Sequence, residues 1–293
     1  MDEDFGAYHA LAGDSDDARW AFGTGFVDPL EGINTSVPTG VDGDALGAYC
    51  LMLGDDALVY SHRLQQWVTR MPELEEETAL ANVALDLLGQ ARMLLARAGR
   101  ADGSGRDEDA LAFFRVEHEF RNVRLVERLD RDFGELVARM LVFSSWRLAL
   151  FDALRGSADP VLAAIAGKAV KELAYHRDHA AQWVVRLGDG TEESARRVQA
   201  GLDVVWPLVD ELFDTHPVVQ ALPGVAVDPA ALRAEFDVVL DTVLATAGLA
   251  RPTGARLAKV GGRDGRDGVH TEALGFVLAE LQSVARAHPD ATW

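Results

Sequence analysis

Cysteine is nearly missing from this chain: Cys50 is the only one in 293 residues, which excludes an intrachain disulfide framework and a cysteine zinc cluster. Basic residues are scarce too. Against 47 Asp and Glu stand 28 Lys and Arg, a net charge of −19, and nucleic acids and anionic membranes both need clustered cations. Neither is therefore expected as a partner. No run of 18 or more apolar residues occurs, and no basic segment precedes an apolar stretch at the start of the chain, so the expectation is a cytoplasmic protein that neither is secreted nor spans a membrane. Segments of alternating polar and apolar residues are also lacking. That leaves helices, and the fold class expected is all-α.

What the chain does have is 48% hydrophobic residues, enough for a sizeable core. Residues 1–43 are rich in Asp, Gly, Pro and Thr and hold nine acidic residues against Arg19, which reads as a weakly ordered acidic extension whose Trp20, Phe22 and Phe26 dock on the body. From residue 44 to 293 the pattern is helix after helix. Expected helices cover 44–69, 73–98, 108–128, 133–155, 160–187, 191–213 with a kink at Pro207, 229–248 and 271–287. Glu75, Glu76 and Glu77 suit the positive end of the second helix, and Gly99 is expected to stop it. Asp159-Pro160 and Asp228-Pro229 each set an N-cap before a proline at the first helical position.

The most chemically suggestive stretch is Lys171-Glu172-Leu-Ala-Tyr175-His176-Arg-Asp-His179, in the fifth helix. At 100° per residue Glu172, His176 and His179 share one stripe beside an apolar face. A degenerate copy, Asp86-Leu-Leu-Gly-Gln90, lies in the second helix. Two long helix pairs related this way make a ferritin-like four-helix bundle, here with additional C-terminal helices, whose motif helices face each other. A dinuclear carboxylate site in such a bundle needs Glu-x-x-His from two helices and one Glu from each of the others. Eight histidines are present, and the residues three before them are Gly6, Val59, Arg115, Leu173, His176, Phe213, Asp267 and Ala285. None is Glu. Gly89 and Tyr175 stand where the two ligand histidines belong, and the fourth helix has no acid between Glu135 and Asp152. A usual dinuclear centre is therefore not expected. Asp86, Gln90, Glu172, His176 and His179 read as a vestigial site kept as a buried polar network, with Lys168, Arg92, Arg147 or His176 as partners for Glu172. The alternative is one metal ion held in a non-standard way by Glu172, His176 and His179.

Other constellations carry less. Asp55-Asp56 reads as a solvated or capping pair, and Ser144-Ser145 lacks the surroundings of a nucleophile elbow. The glycine-rich stretch 261–268 follows no strand and lacks the Gly-Lys-Ser/Thr ending of a phosphate loop. It is either a flexible connector or a segment that wraps a partner, and Arg263 and Arg266 give it a local basic character.

Several strings together resemble one family. They are Leu53-Gly-Asp-Asp, Leu80-Ala-Asn-Val-Ala-Leu-Asp86-Leu-Leu-Gly-Gln-Ala-Arg92, Lys171-Glu-Leu-Ala-Tyr-His176, Leu187-Gly-Asp-Gly-Thr191, Gly261-Gly-Arg-Asp-Gly, Val269-His-Thr-Glu272-Ala-Leu-Gly275, Leu278-Ala-Glu280 and the terminal Trp293. These look like the structural (C-type) subunits of the bacterial phenylacetyl-CoA epoxidase, the multicomponent oxygenase of phenylacetate catabolism. The likeness covers about 44–293. It implies a non-catalytic, ferritin-like subunit with no cofactor of its own, in a hetero-oligomer with a homologous catalytic di-iron subunit. A separate reductase with FAD and an iron–sulfur cluster would bring electrons from NADPH. The family says nothing about residues 1–43.

Overall fold

The computed structural model describes residues 32–291, so Trp20, Phe22, Phe26 and most of the acidic extension lie outside the described residues. The chain divides into two units, Met1–Ile33 and Asn34–Trp293, and the second is described here by itself. It is all-α as expected. Among the described residues there are nine α-helices and no strand: α1 Gly43–Gln65, α2 Leu74–Ala101, α3 Glu108–Phe113, α4 Phe133–Leu154, α5 Pro160–Gly188, α6 Glu192–Val205, α7 Pro217–Gln220, α8 Arg233–Thr246 and α9 Glu272–Ala287.

The four long helices form the bundle. Helix α1 packs along α2, α4 along α5, and the pairs meet where α2 faces α5. Local sequence sets their starts. Asp42 caps α1 by accepting from the Asp44 and Ala45 amides, and Asp132 and Asp159 do the same for Glu135 at the start of α4 and Leu162 at the start of α5. Asp159 has a second task, because Arg97 of α2 pairs with it in full burial and also donates to the carbonyls of Thr35 and Ser36. Gly99 does not end α2. It is a close-approach position, since a Cβ there would sit 1.8 Å from the Arg106 carbonyl oxygen, and the helix runs on to Ala101. Helices α6 and α8 cover the outer side of α4, where Ala138, Leu202 and Leu244 share a small core.

The expected helix over 108–128 is not formed beyond Phe113. Its continuation is two 3-10 turns, Glu117–Glu119 and Arg124–Glu127. Phe120, Val123 and Val126 are buried as their periodicity suggests, but backbone donors that would close helical turns go to side chains instead. The Arg121 amide donates to Asp55 Oδ2 (2.8 Å), the Val123 amide to Asp56 Oδ1 (2.8 Å) and the Arg124 amide to Glu211 Oε1 (3.2 Å). Buried carboxylates have outcompeted the i−4 carbonyls. The helix expected over 191–213 likewise stops at Val205 and continues as 3-10 turns around Pro207, which cannot donate.

Asp55 and Asp56 are the main correction to the sequence reading. Both are completely enclosed rather than solvated. Arg115 grips Asp55 with two nitrogens, and Arg266 grips Asp56 with Nη1 at 3.0 Å and Nη2 at 2.8 Å while also donating to the carbonyls of Met52 and Arg121. The glycine-rich stretch is thus neither a free connector nor an open phosphate loop, for Arg266 turns into this chain's own interior and Arg263 donates to the Asp267 carbonyl. Its glycines let the backbone come close: Gly268 has φ +76°, and a Cβ on Gly265 would lie 2.2 Å from the Asn122 carbonyl oxygen. His270 follows, with Nδ1 2.7 Å from Glu127 Oε1 and Nε2 3.0 Å from the Phe120 carbonyl. Two acceptors require two N–H donors, so this imidazole is held as the cation. Burial disfavours that charge, but the hydrogen bond and the charge of Glu127 together outweigh it and raise the pKa.

Two outcomes test this account. Changing Arg266 to Ala leaves Asp56 enclosed without its counter-ion, so urea unfolding of R266A is expected to show a loss of about 3–5 kcal/mol, with part recovered in D56N/R266A; a loss below about 0.5 kcal/mol would show the loop to be dispensable. For His270, a folded pKa above the unfolded one gives stability that is fully present below pH ~6.5 and is lost as pH rises through the folded value. Thermal melts across pH 6–9 are expected to show this decline in the wild type and a flatter profile in H270N.

Candidate functional site

Where α2 faces α5, the two motif copies do meet. Gln90 of α2 donates from Nε2 to Glu172 Oε2 of α5 at 3.1 Å, and His176 Nε2 lies 3.0 Å from Asp86 Oδ2. One further turn along α5, His179 Nε2 lies 3.2 Å from Glu76 Oε2, which also accepts from Trp183 Nε1 at 2.8 Å. The register follows from helix geometry, since Asp86 and Gln90, like Glu172 and His176, are one turn apart on the faces the helices present to each other.

The row runs from the bundle centre to its surface. Gln90 and His176 are buried, Glu172 and His179 are half-buried, and the Asp86 side chain is 35% exposed. On the inner side Gln90 Oε1 accepts from Arg147 Nε of α4 at 3.0 Å, so a single amide links a guanidinium to a carboxylate across three helices. Arg147 is fully enclosed, donates to the Leu53 carbonyl of α1 at 3.3 Å and lies over the Phe151 ring at 4.3 Å. Burial pushes its pKa down to about 10 against the pull of Asp56, which still leaves it charged at neutral pH. Glu172 is shifted the other way: burial, then the neighbouring charge of Asp86, raise its pKa against the Gln90 hydrogen bond and the charges of Lys168 and His176. Burial lowers the pKa of His179 against the charge of Glu76.

Of the partners expected for Glu172, Arg92 pairs with Glu108, and Arg147 reaches Gln90 rather than the carboxylate. One member escapes the sequence reading. Glu76 reads there only as a helix-start acid, although it lies about three turns before Asp86 on the same helix. Arg147, expected there as a partner of Glu172 itself, shares the strongly apolar stretch between Glu135 and Asp152 with one other charge, Arg139.

A metal is a poor fit to these groups. Glu172, His176 and His179 are turned to three different partners, and among the described residues no three His, Cys, Asp or Glu side chains are grouped to share an ion. At the inner end stands an amide, with a fixed positive charge beside it that would repel a dication. What the arrangement can do is lock α2, α4 and α5 in register through complementary hydrogen bonds.

A family model described as phenylacetic acid catabolic protein matches residues 34–293. The chain is also 43% identical over 250 residues, 85% of its own length and 99% of the relative's, to the C-type subunit of the 1,2-phenylacetyl-CoA epoxidase of Escherichia coli (strain K12).

The raised pKa of Glu172 has a testable sign. The native state holds that proton more tightly than the unfolded chain, so the linked stability is present below pH ~4.5 and is lost as pH rises through the folded value. Glu172→Gln removes the ionisation and the crowding with Asp86 while keeping an acceptor for Gln90. E172Q is expected to melt about 1–3 °C higher than the wild type at pH 7 and to match it near pH 4. A melting point lowered by several degrees at pH 7 would mean that the carboxylate itself stabilises the bundle.

Proposed function

The chain belongs to the phenylacetic acid catabolic protein family, and from that membership we propose that it is a structural, non-catalytic subunit of a multicomponent phenylacetyl-CoA epoxidase. Its role is to pair with and stabilise a homologous subunit that carries the di-iron centre, within a hetero-oligomer also served by an FAD and iron–sulfur reductase using NADPH. The proposed setting is the cytoplasm and aerobic phenylacetate degradation. The observation that carries this reading is the Arg147–Gln90–Glu172 link. The interior positions from which a ferritin-like bundle would ligate iron are spent on hydrogen bonds that join helices, so the bundle is suited to supporting a neighbour rather than activating oxygen. The relative's name, which makes it one subunit of an epoxidase, points the same way.

The alternative of a single metal at Glu172, His176 and His179 draws no support from their divergent partners. Both readings meet in one experiment: co-expression of this chain with the oxygenase subunit of the same complex, set against each chain alone. The expected outcome is that the oxygenase subunit is soluble and active only in the pair, that metal analysis finds stoichiometric iron with that subunit, and that none is found in this chain purified alone. A fully stable and active oxygenase subunit on its own would overturn the structural role. Stoichiometric iron in this chain alone, released in E172Q, would restore the alternative.

A further inference from the structure

A small cavity of about 30 Å³ lies between α1, α4 and the segment 206–229, and that is the volume share of one water molecule. Leu53 of α1 and Leu150 of α4 give it apolar walls. Three deeply buried polar side chains also line it: Tyr49 of α1, Trp146 of α4 and Glu211 of the 3-10 turn Asp210–Phe213. Their hydrogen bonding is unbalanced. Trp146 is 2% exposed and its Nε1 has no partner among the described residues, although an indole N–H can only donate. A buried donor left unpaired is costly, and few persist in folded proteins. Tyr49 Oη accepts from the Val227 amide at 3.3 Å, while its own proton has no acceptor among the described residues. Burial pushes the pKa of this hydroxyl up, which keeps that proton in place to be donated. Glu211 is the opposite case. The Arg124 amide, Arg124 Nε and the Gly265 amide donate to it, and a carboxylate has about four acceptor sites, so one remains. The other polar groups on the wall are spent: Asp214 pairs with Arg256 and Lys259, His216 accepts from the Val218 amide and faces Asp267, and Arg266 grips Asp56.

We propose that this cavity is the binding site of a single internal water molecule, which accepts hydrogen bonds from Trp146 Nε1 and Tyr49 Oη and donates one to Glu211. Two donors and an acceptor around a water-sized space call for a ligand that both accepts and donates. Arg266 in the wall disfavours a cation and Glu211 an anion, and an apolar atom would leave both donors unpaired. Among the described residues several side chains carry a buried polar atom without a partner, and of these Trp146 is the one that lines this cavity. The water joins α1 and α4 to the 3-10 turn whose Glu211 also holds Arg124 and Gly265, so it extends the buried polar contacts that order the irregular segments.

The site is a property of this chain by itself and does not rest on the subunit reading. Crystal structures fine enough to show ordered water would be determined for the full chain as wild type, W146F and Y49F, after far-UV circular dichroism melts confirm that each variant is folded. A wild-type crystal would also be pressurised with xenon, which enters dry apolar cavities. The expected result is one full-occupancy peak in the wild type within about 3.2 Å of Trp146 Nε1, Tyr49 Oη and a Glu211 oxygen, with no xenon in its place. The peak is expected to weaken in Y49F and to vanish in W146F. Xenon in the wild-type cavity would overturn the proposal. So would the lack of any peak, with the indole N–H turned instead onto the Phe143 ring, whose centre is 5.9 Å from that of Trp146. A peak of undiminished occupancy in both variants would show that neither donor holds the water and would overturn it as well. Should W146F fail to fold, the wild-type, xenon and Y49F results decide the matter by the same outcomes.

Discussion

Much of this structure follows from one constraint: two adjacent carboxylates, Asp55 and Asp56, are enclosed in the middle of α1 and must be neutralised. An unpaired buried charge costs more than a small domain can spare, so each must draw a cation and hydrogen-bond donors from wherever the chain can supply them. Arg115 comes from 60 residues on and Arg266 from 210 residues on, while the backbone amides of Arg121 and Val123 take up remaining acceptor capacity. The irregular run after α3 and the glycine-rich stretch before α9 are therefore ordered by what they deliver to α1. Glu127 extends the same pattern by capturing His270, Thr271 and Asn122, which fixes where α9 begins.

Deeper in the bundle the same electrostatics joins the helices. A dinuclear centre ties four helices together through its ligands, and a bundle without it needs other cross-links. Here Arg147 donates to α1 and to Gln90 of α2, Gln90 donates to Glu172 of α5, and His176 of α5 meets Asp86 of α2. A guanidinium suits the task because it stays charged when buried and donates in several fixed directions. It also makes the interior inhospitable to a cation.

The parts of the fold that could be read from sequence are those set by local rules. Asp159-Pro160 starts α5 where the N-cap and proline place it, and α4 and α9 lie within a residue or so of their apolar periodicity. The missing Glu-x-x-His was legible for the same reason, since ligand spacing on a helix is a local property. What could not be read depends on contacts distant in sequence. Residues 114–128 have a helical pattern but lose their amides to Asp55, Asp56 and Glu211, and nothing near Asp55-Asp56 announces that it will be buried. Arg266 sits in a stretch whose composition suits a linker, and only the tertiary partner gives it meaning. The pairing of Glu76 with His179 joins two helices whose mutual register is fixed by packing.

These contacts also explain why α2 is the element through which the chain's interior and surface are coupled. On one side it packs on α1, where Ser61 Oγ donates to the Ala84 carbonyl at 2.6 Å and Gly54 allows Leu95 to approach. On the second it offers Asp86 and Gln90 to α5. Its far end is tied through Arg97 to Asp159, the cap of that same α5. A helix fixed at this many points cannot rotate, so Leu85 and Leu88 stay outward beside the polar Thr78, Asn82 and Arg92. The polar row thus has a second effect: by fixing the register of α2 against α5, it joins the two helix pairs into one unit.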